Sequence, residues 1–363
     1  MLIDHGPQTT DHAAPQNKLP SWTGGAGGGR SGPPLPGWRA FSASANLAPT
    51  RTASSWRSAC LALLAGAVLV GVTGCADGEA ADDGRVNAVA TTSIIADVVR
   101  QVGGEHVAVT SLMGPNVDPH LYRPSEGDVT RMATADAVFT NGLDLEGKMG
   151  EALEQLGSRG ITVVTLADAV PEADRRQSVQ FEGAYDPHVW MNPTLWTSVV
   201  LRTGQALADL DPEHSEDYIA SASAYADSLA ALDDELRQRL AAVPSERRVL
   251  VTAHDAFEYF GRAYDFEVRG LQGLSTATEA GTADVQDLAR FVTEREIPAM
   301  FVETSVSERT IRAVQEAVQA RGGTVRLGAP LYSDALGAEG SGAETLIGML
   351  RSNAEAIVSG LAE

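Results

Sequence analysis

The chain has 363 residues, of which 27 are basic and 48 acidic, giving a formal net charge of −21, with only two cysteines and seven histidines. Such an acidic balance disfavours nucleic acid and is compatible with cationic ligands. Residues 1–50 are rich in Gly, Pro and Ser (GGAGGGRSGPPLPG) and carry no apolar period. They can bury no core and read as a disordered extension.

Residues 51–74, RTASSWRSACLALLAGAVLVGVTG, place arginines ahead of an apolar run from Leu61 to Val72 and end in small residues. The run is too short for a comfortable membrane span, so the pattern is that of a signal peptide, with an ordinary signal anchor as the alternative. With Cys75 the segment closes as VTGC, which resembles the lipobox of bacterial lipoproteins. That resemblance implies cleavage before Cys75 and lipidation of its thiol. Signals normally begin near the first residue, which suggests a translation start beyond Met1, although no second Met precedes this signal. Cys60 would be lost with the signal and Cys75 would carry lipid, which excludes an intrachain disulfide and a cysteine-built metal site. The 289 residues that remain carry 22 basic and 46 acidic side chains, a formal net charge of −24.

An Ala/Asp/Glu/Gly stretch over 75–84 reads as a tether. Short β-branched runs then alternate with helical stretches: NAVATTS (87–93), HVAVTSLM (106–113), DAVFTNG (136–142) and ITVVTLAD (161–168). A second set follows in RRVLVTAH (247–254), FEVRGLQ (266–272), PAMFVETS (298–305) and GTVRLGAP (323–330). This alternation predicts an α/β chain with a mostly parallel sheet in each of two lobes, over 85–212 and 244–363. Between them Tyr218, Ala222, Tyr225, Leu229, Leu232, Leu236 and Leu240 recur at steps of four and three, one apolar stripe bounded by Pro212 and Pro244. A single rigid linking helix over 213–243 would span ~45 Å at 1.5 Å per residue and would limit hinge motion.

The tripeptide DPH occurs twice, in GPNVDPHLYRPSEGD (114–128) and YDPHVWMNP (185–193). Proline stiffens the backbone before each imidazole, so His120 and His188 sit on similarly restrained frames. Open parallel sheets bind ligands outside the carboxyl ends of their strands. His254 directly follows VLVTA, His120 lies past the turn after the second strand, His188 precedes the helix that begins beyond Asn192, and Asp334 lies past the Gly-x-Pro turn of the last strand. Three imidazoles and one carboxylate suit Zn²⁺, and suit Mn²⁺ when the carboxylate binds through both oxygens. With every position filled by protein, no activated water has a place, so the set stores or carries an ion. His106 and His214, among acidic neighbours, read as solvated, and Glu279 is not read as a ligand.

GPNVDPHLYRPSEGD, DPHVWMNP, VTAHDAFEYF and LQGLSTATEAGTADVQDLARF, in this order behind a lipobox, resemble the metal-binding lipoproteins (solute-binding proteins) of zinc and manganese ABC importers over 85–360. The resemblance implies metal ligands at His120, His188, His254 and Asp334, and two βα lobes bridged by a rigid helix. It also implies delivery of one zinc or manganese ion by a monomer to the membrane subunits of an ABC permease. The chain would be held by lipid on Cys75 at the outer face of the cytoplasmic membrane. Members with Glu at the third position lean towards manganese, whereas this chain has His254; the His- and Asp-rich loop of zinc-dedicated members is missing.

Glu303, at the end of AMFVE, is a candidate acceptor for a ligand imidazole, with a salt bridge or loop anchor as the alternative. Asp118 and Asp186 invite the same reading, and Asp-Pro turn chemistry explains them equally well. A zinc-dependent hydrolase using three of the same ligands, with Glu303 as base, is the competing function; no HExxH motif supports it. A surface adhesin, which some relatives are said to resemble, would coexist with metal capture, and nothing in the sequence marks an adhesive face.

Overall fold

Apolar runs and amphipathic stretches fold in the βα succession they predict. In this computed structural model the described residues are 84–178 and 183–362. The extension, the signal, Cys75 and the tether up to residue 83 lie outside them. In the first half, β1 (Val86–Ala90), α1 (Ser93–Gly103), β2 (Val107–Ser111), α2 (Glu126–Ala133), β3 (Ala137–Thr140), α3 (Gly150–Ser158) and β4 (Thr162–Thr165) build one parallel sheet in the order β2-β1-β3-β4. Helices α1 and α2 start where side chains satisfy free amides. Thr92 Oγ1 accepts from the Ile95 N–H at the head of α1, and Ser125 with Asp128 forms a reciprocal capping box on α2.

Two helices follow, α4 (Pro193–Leu210) and α5 (Ser215–Leu240). Asn192 caps α4, and Pro193 occupies its first turn, where a missing N–H costs nothing. All seven residues of the apolar stripe are buried on α5, against α1, α4 and the C-terminal helix. Each fully buried Leu there stabilises the fold by about 1.5–3 kcal/mol relative to exposure. The helix is shorter than the stripe's flanks suggest. Pro212–His214 form a separate 3-10 turn, and the chain leaves the α-helix at Ala241, ahead of Pro244, so 26 residues span about 39 Å. Gly204 lets α4 and α5 close: a Cβ there would meet that of Ala222 at 2.7 Å.

The second half contains β5 (Val249–Thr252), α6 (Glu258–Tyr264), β6 (Glu267–Gly270), α7 (Thr282–Glu294), β7 (Ala299–Met300), α8 (Glu308–Ala320), β8 (Arg326–Leu327) and α9 (Leu346–Leu361). Its strands form two parallel ladders, β5-β6 and β7-β8, joined by the Phe301 N–H donating to Val251 O at 2.9 Å. β7 and β8 pair over only two residues each, shorter than their apolar runs suggest. Beyond them the ladder resumes as a parallel bridge between Glu303 and Leu331. That bridge carries both chains past the strand ends towards the loops that hold Asp334. Asp97 on α1 ties the halves together, its Oδ2 accepting from Tyr225 Oη (3.2 Å) and from the Leu346 N–H (2.9 Å). Among the described residues no helix is long and apolar enough to cross a membrane.

Candidate metal centre

His120, His188, His254 and Asp334 come from four loops separated by up to 214 positions, and the fold gathers them. One donor atom from each lies within 4.8 Å of the others. All four are buried, at 4%, 0%, 0% and 1% exposure. Three imidazole nitrogens (Nε2 of each His) and Asp334 Oδ1 are enclosed without a hydrogen-bond partner. Burying polar atoms in that state is unfavourable by about 1–3 kcal/mol each, so four at one point require a compensating ligand.

The spacing fits a small cation. Asp334 lies between two rings, with Oδ1 3.4 Å from His188 Nε2 and Oδ2 3.3 Å from His254 Nε2. Ligands bonded at about 2.0–2.1 Å to one ion stand roughly 3.3–3.4 Å apart in a tetrahedral arrangement, the separation that each Asp334 oxygen keeps from its neighbouring imidazole. The ring centroids of the three histidines are 5.3–5.8 Å apart, with interplanar angles of 56–80°, so they surround one point without stacking.

Carboxylates behind two of the rings set their orientation. Glu303 Oε2 meets His254 Nδ1 at 2.6 Å, and Oε1 accepts the His254 backbone N–H at 2.9 Å. Asp186 Oδ1 takes both the ring Nδ1 (2.7 Å) and the backbone N–H (2.9 Å) of His188. Both contacts turn Nε2 towards the cavity and raise the basicity of the ring. Asp118 acts differently: Oδ1 accepts the His120 backbone N–H, and Oδ2 accepts from Thr276 Oγ1 at 2.6 Å, so it shapes a turn and reaches the second half. With both Glu303 oxygens engaged by His254, the general base that a hydrolase would need is already occupied.

The electrostatics divide the histidines. Burial, aided by the neighbouring imidazoles, lowers His120 to about 3 and keeps it neutral. Burial also opposes charge on His188, but the hydrogen bond to Asp186 and the nearby Asp334 carboxylate outweigh it and raise the ring to about 9. His254 is likewise raised well above its usual value: burial opposes, while Asp334 and Glu303 prevail. Asp334 is held well below the carboxylate range by His254 and His188 despite its burial. Asp334, Asp186 and Glu303 thus favour the protonated form of His188 and His254.

Three features escaped sequence reasoning. Trp190 Nε1–H donates to Ser333 O at 2.8 Å, linking the DPHVW segment to the Asp334 loop. Its place two residues after His188 was the available signal. Gly270 ends β6 against the His254 loop, where a Cβ would meet Asp255 N at 2.6 Å. Arg176, which meets Asp186 across the paired segments, carried no signal in the sequence. His106 and His214 stay outside the centre; they are partly buried and stack on each other at 3.8 Å, beside Asp217 and Asp211. Glu279 is exposed.

A family model described as ZnuA, zinc-uptake complex component A periplasmic, matches residues 88–360. The chain belongs to this family. The zinc-binding protein TroA of Treponema pallidum (strain Nichols) is 43% identical to this ZnuA-family chain over 305 residues, covering 84% of it and 98% of TroA. The manganese-binding lipoprotein MntA of Bacillus subtilis (strain 168) is 44% identical over 294 residues, covering 80% and 95%. The solved periplasmic zinc-binding protein TroA from Treponema pallidum matches with a TM-score of 0.74 at 42% identity, covering 77% of this chain and 100% of that one. ZnuA-family proteins serve transport as substrate-binding components, and the two-lobed α/β architecture is the same.

Proposed function

We propose that this ZnuA-family chain captures one divalent transition-metal ion, zinc or manganese, outside the cytoplasmic membrane and delivers it as a monomer to the membrane subunits of an ABC permease. His120, His188, His254 and Asp334 are its ligands, and lipid on Cys75 holds the chain at the membrane. The convergence of four buried, unpartnered donor atoms supports this reading most directly. The names of TroA and MntA support the choice of ions. Affinity alone ranks zinc above manganese, so manganese use would require geometry or supply to decide.

Metal analysis of the chain purified from cells, with a zinc–manganese competition titration, tests the proposal. One ion per chain is expected. A chain that contains no ion and takes up neither overturns it. In the same cells Cys75→Ala should move the protein out of the membrane fraction.

Glu303 positions His254 through two bonds, so Glu303→Gln, which keeps the shape but weakens the acceptor, should reduce metal affinity by about 10–100-fold. Competition against a chelating dye measures this, and an unchanged affinity would reduce Glu303 to a loop anchor.

A further inference from the structure

Arg176 precedes α4 in the chain and meets three carboxylates. Its Nη2 lies 3.1 Å from Glu258 Oε1, and its Nη1 lies 3.6 Å from Asp186 Oδ2 and 4.0 Å from Asp255 Oδ2. Asp186 is the residue whose other oxygen orients His188. Asp255 follows His254 directly, and Glu258 opens α6 one turn later. One guanidinium therefore stands behind His188, through Asp186, and beside the loop that carries His254, between the first half of the chain and the second.

Backbone contacts reinforce the junction. Residues 176 and 186 face each other, the Asp186 N–H donating to Arg176 O at 2.8 Å beside an antiparallel bridge between Gln177 and Tyr185. The buried hydroxyl of Tyr259, on α6, accepts the Arg176 N–H at 2.8 Å and donates to Asp186 O at 3.2 Å. The pair of segments bearing Asp186 is thus seated on the helix that follows His254. Within it Arg176 Nη1, Asp186 Oδ2 and Asp255 Oδ1 are buried with no hydrogen-bond partner. Three carboxylates confined together repel unless a cation stands among them, and Arg176 is that cation.

We propose that Arg176 is a positioning residue of the metal centre, acting through Asp186 to hold His188 in register with His254. The inference rests on the metal-capture reading above. Without the guanidinium, Asp186, Asp255 and Glu258 separate, Asp186 leaves the His188 ring, and the ion loses an oriented donor. Arg176 touches no ion and supplies no ligand.

The test is a double-mutant cycle on the full chain, read as zinc affinity by competition against a chelating dye. Arg176→Gln is expected to weaken binding by about tenfold, at the lower end for partners that orient a ligand, and Arg176→Lys should restore most of the loss. In an Asp186→Asn background the same Arg176→Gln change should alter affinity by no more than about twofold, the limit for sites that no longer interact. The absorption spectrum of the cobalt-substituted chain should shift in Arg176→Gln, reporting a displaced ligand. Equal losses in both backgrounds, or an unchanged spectrum, would make Arg176 a plain strut and overturn the inference. If Arg176→Gln does not fold, Glu258→Gln reads the same coupling from the other side of the contact and should weaken binding in the same direction. Uptake by the wild type with unchanged Arg176→Gln affinity overturns this inference alone. A wild type that binds neither zinc nor manganese overturns the metal-capture reading on which it rests.

Discussion

Replacing His188 or His254 with Ala is expected to weaken zinc binding by about two to three orders of magnitude. A four-ligand structural zinc site is stabilised by roughly 10–16 kcal/mol, so one ligand accounts for about a quarter of that, or 2.5–4 kcal/mol. Neither loss can be repaired locally, because both rings are fully buried and each Nε2 already faces the shared point. Each substitution also strands a carboxylate, Asp186 behind His188 and Glu303 behind His254, with its hydrogen-bond partner gone. His214→Ala is the control: it belongs to the stacked pair with His106, bonded to Asp211 at 2.7 Å, and should leave affinity unchanged. Isothermal titration of the three variants separates the outcomes. A His214→Ala loss equal to the other two would refute the ligand assignment.

Zinc affinity should fall with acidification below about pH 9, by about tenfold per pH unit for each ring that holds a proton, with protons released as the ion binds at neutral pH. The expectation follows from the state of the cation-free centre. His188, raised to about 9, and His254, raised well above its usual value, both hold protons there at pH 7, and both must surrender the Nε2 proton to coordinate. His120, at about 3, is already neutral and contributes no slope. Capture is therefore coupled to proton release from these rings.

The sign extends to stability. A histidine whose folded pKa is raised stabilises the cation-free chain fully below about 6.5 and loses that contribution as pH rises through about 9. The thermal shift produced by zinc should thus grow from pH 6 to pH 8. Calorimetry in buffers of different ionisation enthalpy counts the protons directly, and a count near zero would contradict protonated rings at His188 and His254. The unperturbed imidazole value near ~6.5 would have placed this transition lower. Asp334, with Asp186 and Glu303 behind the rings, moves it up.

Much of this was legible before any coordinate. The stripe from Tyr218 to Leu240 marked the buried face of α5 residue for residue, because helical period is a local property of the chain. The βα alternation carried the architecture for the same reason. The DPH repeats and the strand-end positions singled out His120, His188, His254 and Asp334, because loops at the carboxyl edge of a parallel sheet share one side of the molecule. Where periodicity weakened, the reading was coarser: β7 and β8 pair over two residues each, and the ends of α5 gave way to a 3-10 turn and to the chain ahead of Pro244.

Sequence by itself determined which side chains were available for a cation and in what order the elements holding them would form. Only the tertiary structure decided that Asp186 reaches the ring of its histidine while Asp118, in the same Asp-Pro-His frame, reaches only backbone and Thr276. It alone brought Glu303 against His254 across 49 positions, and Arg176 between carboxylates from both halves. The physical reason is range. Helical period and turn chemistry act over a few residues, whereas the proton held at a buried imidazole depends on tenths of an ångström between groups that only the packed chain makes neighbours.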